Sequence, residues 1–151
     1  MQVVERSFAG LTTAELYAIL RLRVDVFVVE QECPYPELDG RDLEPATRHL
    51  WVPGDASGAN GEPSIAAYLR VLQGADGVWI GRVIAHPSAR GRGIARGLVR
   101  HAVDAHRHER IDIHAQAHLA GWYASFGFEA VGEEYLEDGI AHLAMVRRAD
   151  A

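Results

Sequence analysis

A chain of 151 residues, 48% apolar and 24% charged, has the size and balance of one folded domain, able to bury about 68 to 70% of its unfolded surface without a disulfide staple. The single cysteine, Cys33, excludes an internal disulfide; no apolar segment follows Met1 and no 18-residue apolar run occurs, so a cytoplasmic protein without a membrane partner is expected. A formal charge of -6 argues against nucleic-acid binding.

Gln2 to Phe8 reads as a first strand of poor pattern. Thr12 and Glu15 have capping-box spacing, and the helix that follows carries Leu16, Leu20, Val24 and Phe27 as its stripe, widened by Ile19 and Val26. Arg21 and Arg23 are expected on its solvent side. Pro34, Pro36 and Gly40 make Val28 to Glu44 an ordered loop. Its acidic part, ELDGRDLE from Glu37, suits a cationic amine or a basic peptide terminus, and equally suits solubility. His49 to Val52 is a short strand, Pro53 to Pro63 a disposable loop, and Ser64 to Leu72 a strand that forms an antiparallel hairpin with the next through Gly74 to Gly77.

The run from Val78 to Ala85 enters GRVIAHPSARGRGIARG, from Gly81 to Gly97, in the order strand, tight loop, helix. Arg90, Arg92 and Arg96 surround Gly91 and Gly93 where the helix begins. Bare N–H groups, permissive glycines and guanidinium groups outline an anion site. Ile94, Leu98, Val99, Ala102 and Val103 form the helix stripe, and Ile111 to Ala115 completes a parallel β-α-β unit. Leu119 to Phe126 is a short helix ended by Gly127, Phe128 to Leu136 resumes strand character, and Ala141 to Val146 follows a turn at Glu137 to Gly139. A dinucleotide-binding reading, from the glycines with Asp112 about twenty residues on, lacks a second set of β-α-β units. A Walker loop lacks its lysine. His106 and His108 face different directions on one helix and the other histidines are scattered, so no metal site is expected.

Arg90, Gly93 and Ala95 after the strand bearing Arg82 and Val83 resemble the pyrophosphate loop of the GCN5-related N-acetyltransferase (GNAT) superfamily. Trp122-Tyr123-Ala124-Ser125-Phe126-Gly127-Phe128 resembles that family's Tyr and Gly-Phe element. Three further segments, Arg23 to Gln31, Tyr35 to Asp39 and Glu137 to His142, resemble its ElaA-type subgroup, with Ala141 where proline is usual. The resemblance implies one acetyltransferase domain over 1–151, of class α/β (α+β): a mixed, twisted sheet with helices on both faces and splayed central strands. It implies acetyl-CoA as co-substrate, its pantetheine arm along Val83, Ile84 and Ala85, and its diphosphate on Arg90, Gly91, Arg92, Gly93, Ile94 and Ala95. It further implies an N-acetyltransferase that brings an amine directly onto the thioester, with Tyr123 as proton donor. An amine of pKa near 10.4 needs a proton acceptor at pH 7. Glu30, Glu32, His49, His86, Glu134 and His142 are the candidates, Glu30 and His142 the chosen pair, and Glu134 is expected to share a hairpin face with His142. The acceptor is a small-molecule or peptide amine, exposed sheet edges leave a homodimer open, and a noncatalytic acyl-CoA-binding module is the competing reading.

Overall fold

The computed structural model describes residues 1–55 and 58–151; Ala56 and Ser57, inside the loop read as disposable, lie outside the described residues. One 8-stranded sheet organises the fold. Its strands are β1 (Val4–Arg6), β2 (Arg48–Pro53), β3 (Ile65–Gln73), β4 (Gly77–Ala85), β5 (Arg110–Gln116), β6 (Glu129–Ala130), β7 (Tyr135–Glu137) and β8 (Ile140–Arg147). The order is β1-β2-β3-β4-β5-β8, with β6 and β7 both on the outer edge of β8. Every pairing is antiparallel except β4 with β5. A sheet with one parallel pair is not a nucleotide-binding doubly wound sheet.

Helix α1 (Thr13–Arg23) packs on one face, against Trp51, Tyr68 and Ile84. Helices α2 (Ile94–Ala105) and α3 (Ala120–Ala124) pack on the other. In α2 the expected stripe holds: Leu98, Val99, Ala102 and Val103 are all buried, each larger side chain contributing about 1.5–3 kcal/mol. Thr12 and Glu15 close the capping box of α1 as read.

The stripe of α1 is a correction. Its buried residues are Ala18, Ile19, Leu22, Arg23 and Val26, while Leu16, Leu20, Val24 and Phe27 are only half-buried. From Val24 to Glu30 the helix widens into a π-helical stretch, which changes the period and carries helix into the segment read as loop. Phe128 to Leu136 is likewise two short strands, β6 and β7, parted by an irregular segment.

Two features of β4 position the site. Gly77 pairs with Arg110 so closely that a Cβ there would lie 2.1 Å from the Arg110 carbonyl oxygen, so glycine brings β4 and β5 together. The parallel ladder then spans only Gly77 to Trp79 against Arg110 to Asp112. Beyond Trp79 the strands part: β4 stays with β3 and β5 with β8. Between Gly81 and Ile84, Arg82 and Val83 face the single residue Leu69, a bulge in which Arg82 takes φ 52°; bulges of this kind add twist and bend the strand.

Candidate active site

The loop after β4 is built to meet an anion. Gly93 caps α2 with φ 73° and no side-chain cap, and no acidic residue lies in the first turn. The first N–H groups of α2 therefore have no side-chain partner. Gly91 has φ 79°, and a Cβ on either glycine would meet nothing within 4 Å. Conformation demands glycine there, and the space beside both is open. Arg90 is held by Glu30 through two bonds of 2.8 and 2.6 Å and also reaches the Ala85 carbonyl at 3.4 Å. That guanidinium draws the exposed Glu30 carboxyl below its usual range. Arg92 lies 3.7 Å from Asp55. Arg96 stands over the rings of Trp122 and Phe126. Ile94 and Ala95 open the helix, packed against the α2-side core.

Where β4 and β5 part, a cavity of about 620 Å³ opens, lined by Ile80 to Val83 on one side and by Ile113, His114 and Gln116 on the other. Val83 therefore faces it, whereas the Ile84 side chain is buried under α1. The β5-facing edge of β4 from Ile80 to Ala85 makes no ladder, leaving backbone groups for an amide-bearing ligand.

Tyr123 reaches this cavity from α3. Its ring sits edge-on to Trp122 and Phe128, with centroids 4.9 and 6.0 Å away. Burial pushes its phenol up to about 12. Its hydroxyl has no hydrogen-bond partner among the described residues.

The two proposed bases are separated. His142 lines the cavity and Glu30 does not; Glu30 closes instead on Arg90. His142 Nδ1 lies 2.8 Å from the Ile140 carbonyl, which only accepts, so Nδ1 carries the proton and Nε2 is the free acceptor. The Glu137 carboxylate stands 3.8 Å from Nε2. Glu134 does not join them, because Tyr135 is the residue opposite His142. His49 is fully buried, between the Tyr68 hydroxyl and the Asp42 carbonyl. Cys33, also at the cavity, places its thiol 3.4 Å from the Asp138 carbonyl.

The acidic segment is a second correction. Glu37 and Asp42 are buried, and they do not form a cationic-substrate face. Arg23, expected in solvent, is fully buried and bonds both, at 2.7 Å each. Arg70 holds Asp39 at 2.6 Å and Asp42 at 3.1 Å, and Arg82 bonds Glu37 at 2.7 Å. Burial opposes charge on Arg23 and Asp42, yet the mutual bonds and opposite charges prevail, raising Arg23 and lowering Asp42. The Arg70 hydrogen bond likewise lowers Asp39.

Sequence reasoning missed Trp79, His114, Tyr135 and Glu137. His114 stacks on Trp79 at 5.0 Å, hydrogen-bonds the Tyr135 hydroxyl through Nδ1, and shares Tyr135 with the His142 ring. The alternation Asp112, His114, Gln116 within an otherwise apolar β5 was the available signal. Among the described residues no group of three or more His, Cys, Asp or Glu is arranged to hold a metal ion, and no helix is long and apolar enough to cross a membrane.

A mixed sheet splayed at its one parallel pair, with a glycine loop on a bare helix start, defines the acetyltransferase class of fold. The family model described as an acetyltransferase (GNAT) domain matches residues 58–149, and the chain belongs to that family. Its relatives place it in the ElaA-like subgroup. Protein ElaA of Escherichia coli K12 is 42% identical over 146 residues, 91% of this chain and 90% of that one. The crystal structure of Escherichia coli ElaA superposes with a TM-score of 0.86, covering 98% of this chain and 100% of that one at 37% identity. An acyl-CoA N-acyltransferase from Pseudomonas aeruginosa superposes with a TM-score of 0.85 at 41% identity, over 97% of this chain and 99% of that one.

Proposed function

We propose that the protein transfers an acetyl group from acetyl-CoA to an amine by direct attack on the thioester in a ternary complex. The observation that carries this reading is the Tyr123 hydroxyl, unpartnered among the described residues and carried by a buried ring, at a cavity entered between parted strands. The diphosphate suits the amides from Arg90 to Ala95, with Arg90 and Arg92 beside them, and the amide-bearing arm suits the unpaired edge at Val83, Ile84 and Ala85.

The acceptor arrives as an ammonium ion and gives its proton to His142 Nε2, whose new charge the Glu137 carboxylate stabilises. The freed nitrogen forms its bond to the acetyl carbon, the carbon–sulfur bond breaks, the electron pair leaves on sulfur, and the second proton that the nitrogen sheds as the amide forms passes to that sulfur to give free CoA thiol. A phenol raised to about 12 holds its proton against a thiolate of pKa about 8.5. Tyr123 therefore serves by donating a hydrogen bond to the developing thiolate, and full proton transfer is not needed.

Calorimetric titration with acetyl-CoA is expected to give saturable binding that weakens when Arg90 and Arg92 are neutralised. Adding a panel of amines is expected to release free CoA thiol. Binding with no thiol released by any amine would mark a noncatalytic acyl-CoA-binding module. Absence of binding by the folded protein would overturn the reading.

A further inference from the structure

The cavity that receives the acceptor carries charged groups of both signs. The β7–β8 hairpin brings His142, Glu137 and Asp138 to its lining. The segment before β2 and strands β3 and β4 bring Arg41, Arg70 and Arg82, with Asp39 beside them. Arg41 pairs with Glu44, Arg70 with Asp39 and Asp42, and Arg82 with Glu37 and Asp39; of these carboxylates Glu37 and Asp42 are buried and do not line the cavity. The network as a whole is neutral: Arg23, Arg41, Arg70 and Arg82 against Glu37, Asp39, Asp42 and Glu44. Arg23, Arg70, Glu37 and Asp42 form its buried part, and Arg82, Arg41, Asp39 and Glu44 its accessible part.

Arg82 keeps an accessible donor. Arg70, with a side chain 4% exposed, spends both Nη atoms on Asp39 and Asp42, and its unpartnered Nε is fully buried. Arg82, 22% exposed, spends Nε and Nη2 on Glu37 and leaves Nη1 unbonded among the described residues. Its position is imposed: the bulge at φ 52° turns it over the Tyr35 ring, 5.7 Å from the centroid. Backbone strain at a non-glycine residue persists only where the surroundings over-determine it. The cavity is also bounded. Cys33 contacts Asp138, and Gln31 accepts a 3.3 Å bond from Gln116, tying the segment after α1 to β5 and to the β7–β8 turn. The cavity of about 620 Å³, shared with the acyl end of the co-substrate, has the size of a small-molecule site.

We infer that the acceptor is a small zwitterion: a primary amine whose own molecule carries a carboxylate or phosphate, with the amine at His142 and Glu137 and the anionic group at Arg82 and Arg41. This rests on the transferase reading for the amine's role but not for its binding.

The test uses matched amines on the full chain. 4-Aminobutyrate is set against n-butylamine, and phosphoethanolamine against ethanolamine, with 1,4-diaminobutane and a lysine-containing peptide as cationic and polymeric comparisons. Acetyl transfer is followed by thiol release. Binding is followed separately, with CoA present, by calorimetry. The expected result is a preference of about tenfold or more for the acid-bearing member of at least one pair, the size of a charge-assisted hydrogen bond. Which pair shows it distinguishes carboxylate from phosphate. R41Q and R82Q are expected to narrow that ratio, while Arg82→Lys restores part of it. Arg41, exposed and paired only with Glu44, gives a variant that folds even where Arg82 does not tolerate change. Equal use of both members, or preference for the diamine or the peptide, overturns the inference. If thiol release fails with every amine, the transferase reading fails, and the calorimetric comparison still decides the zwitterion.

Discussion

Tyr123 and His142 reach the reaction space from the two faces of one sheet. Tyr123 belongs to the α2-side cluster with Ile113 and Ala115, whereas His142 sits opposite Gln116, on the alternate face of β5. In the proposed mechanism a thiolate leaving between the parted strands would meet its donor on one side, and the ammonium its acceptor on the other. The two residues have separable signatures. Tyr123→Phe keeps the ring packing and removes one donor; kcat is expected to fall about 10²-fold or more, with KM for acetyl-CoA nearly unchanged. Since burial raises the phenol to about 12, it stays protonated through pH 10, and no alkaline loss of rate below that pH is expected from it. His142→Gln removes the proton acceptor. Its deficit is expected to be greatest near pH 7 and to shrink toward pH 10, where an alkyl amine of pKa about 10.4 supplies its own neutral form. Steady-state rates of both variants across pH 6 to 10 check this. A His142→Gln deficit that does not change with pH would mean that the imidazole is not the base.

The loop and helix from Arg90 to Ala105 form the element most completely legible in the sequence. Glycine at a left-handed cap, an uninterrupted 3.6 period and a preceding apolar strand all point the same way, and each survives in the structure. Gly93→Ala is the corresponding test. A Cβ there meets no protein atom, so the stability loss is conformational, about 1–2 kcal/mol for φ 73°. The same methyl group would stand in the space reserved for the diphosphate, so acetyl-CoA affinity is expected to fall by more than the stability loss explains. Urea unfolding and calorimetry on one preparation separate the two effects. Helix α1 was less legible for physical reasons. Its period changes where the π-helical stretch begins at Val24, and Arg23, four residues after the buried Ile19, lies on the buried face although its charge assigns it to solvent. The residues that bury Arg23 lie 14 and 19 positions along the chain, in a segment whose acids looked like surface charge. The acceptor wall was hidden in the same way: Tyr135 and His142 meet through strand register, and His114 meets Trp79 across a crossover.

At the scale of the molecule, the Arg23 network joins α1, the segment from Glu37 to Asp42, β3 and β4 into one brace behind the acceptor cavity. Arg23 bonds Glu37 and Asp42, Arg70 bonds Asp39 and Asp42, and Arg82 returns from β4 to Glu37. Removing Arg23 leaves buried Glu37 with Arg82 alone of its arginines and buried Asp42 with Arg70 alone, each short of the charge and hydrogen bonds that Arg23 supplied. Arg23→Met, close in volume, is therefore expected to destabilise the fold by about 3–5 kcal/mol at pH 7. The pH dependence follows from Asp39 and Asp42, both lowered below the ordinary aspartate value. A carboxyl whose folded pKa is depressed contributes stability fully above its unfolded pKa, near 3.9, and that contribution is lost as pH falls through the folded value. The wild-type protein should therefore hold its stability down to about pH 4 and lose it progressively below. In Arg23→Met Asp42 keeps only Arg70 and gains less from ionisation, so acid costs the variant less, and the gap between the two proteins is expected to narrow below pH 4. Urea unfolding of both at pH 7, 5 and 3 measures that gap. A gap that stays constant from pH 7 to pH 3 would mean that Arg23 stabilises the fold by filling space, with no net contribution from its charge.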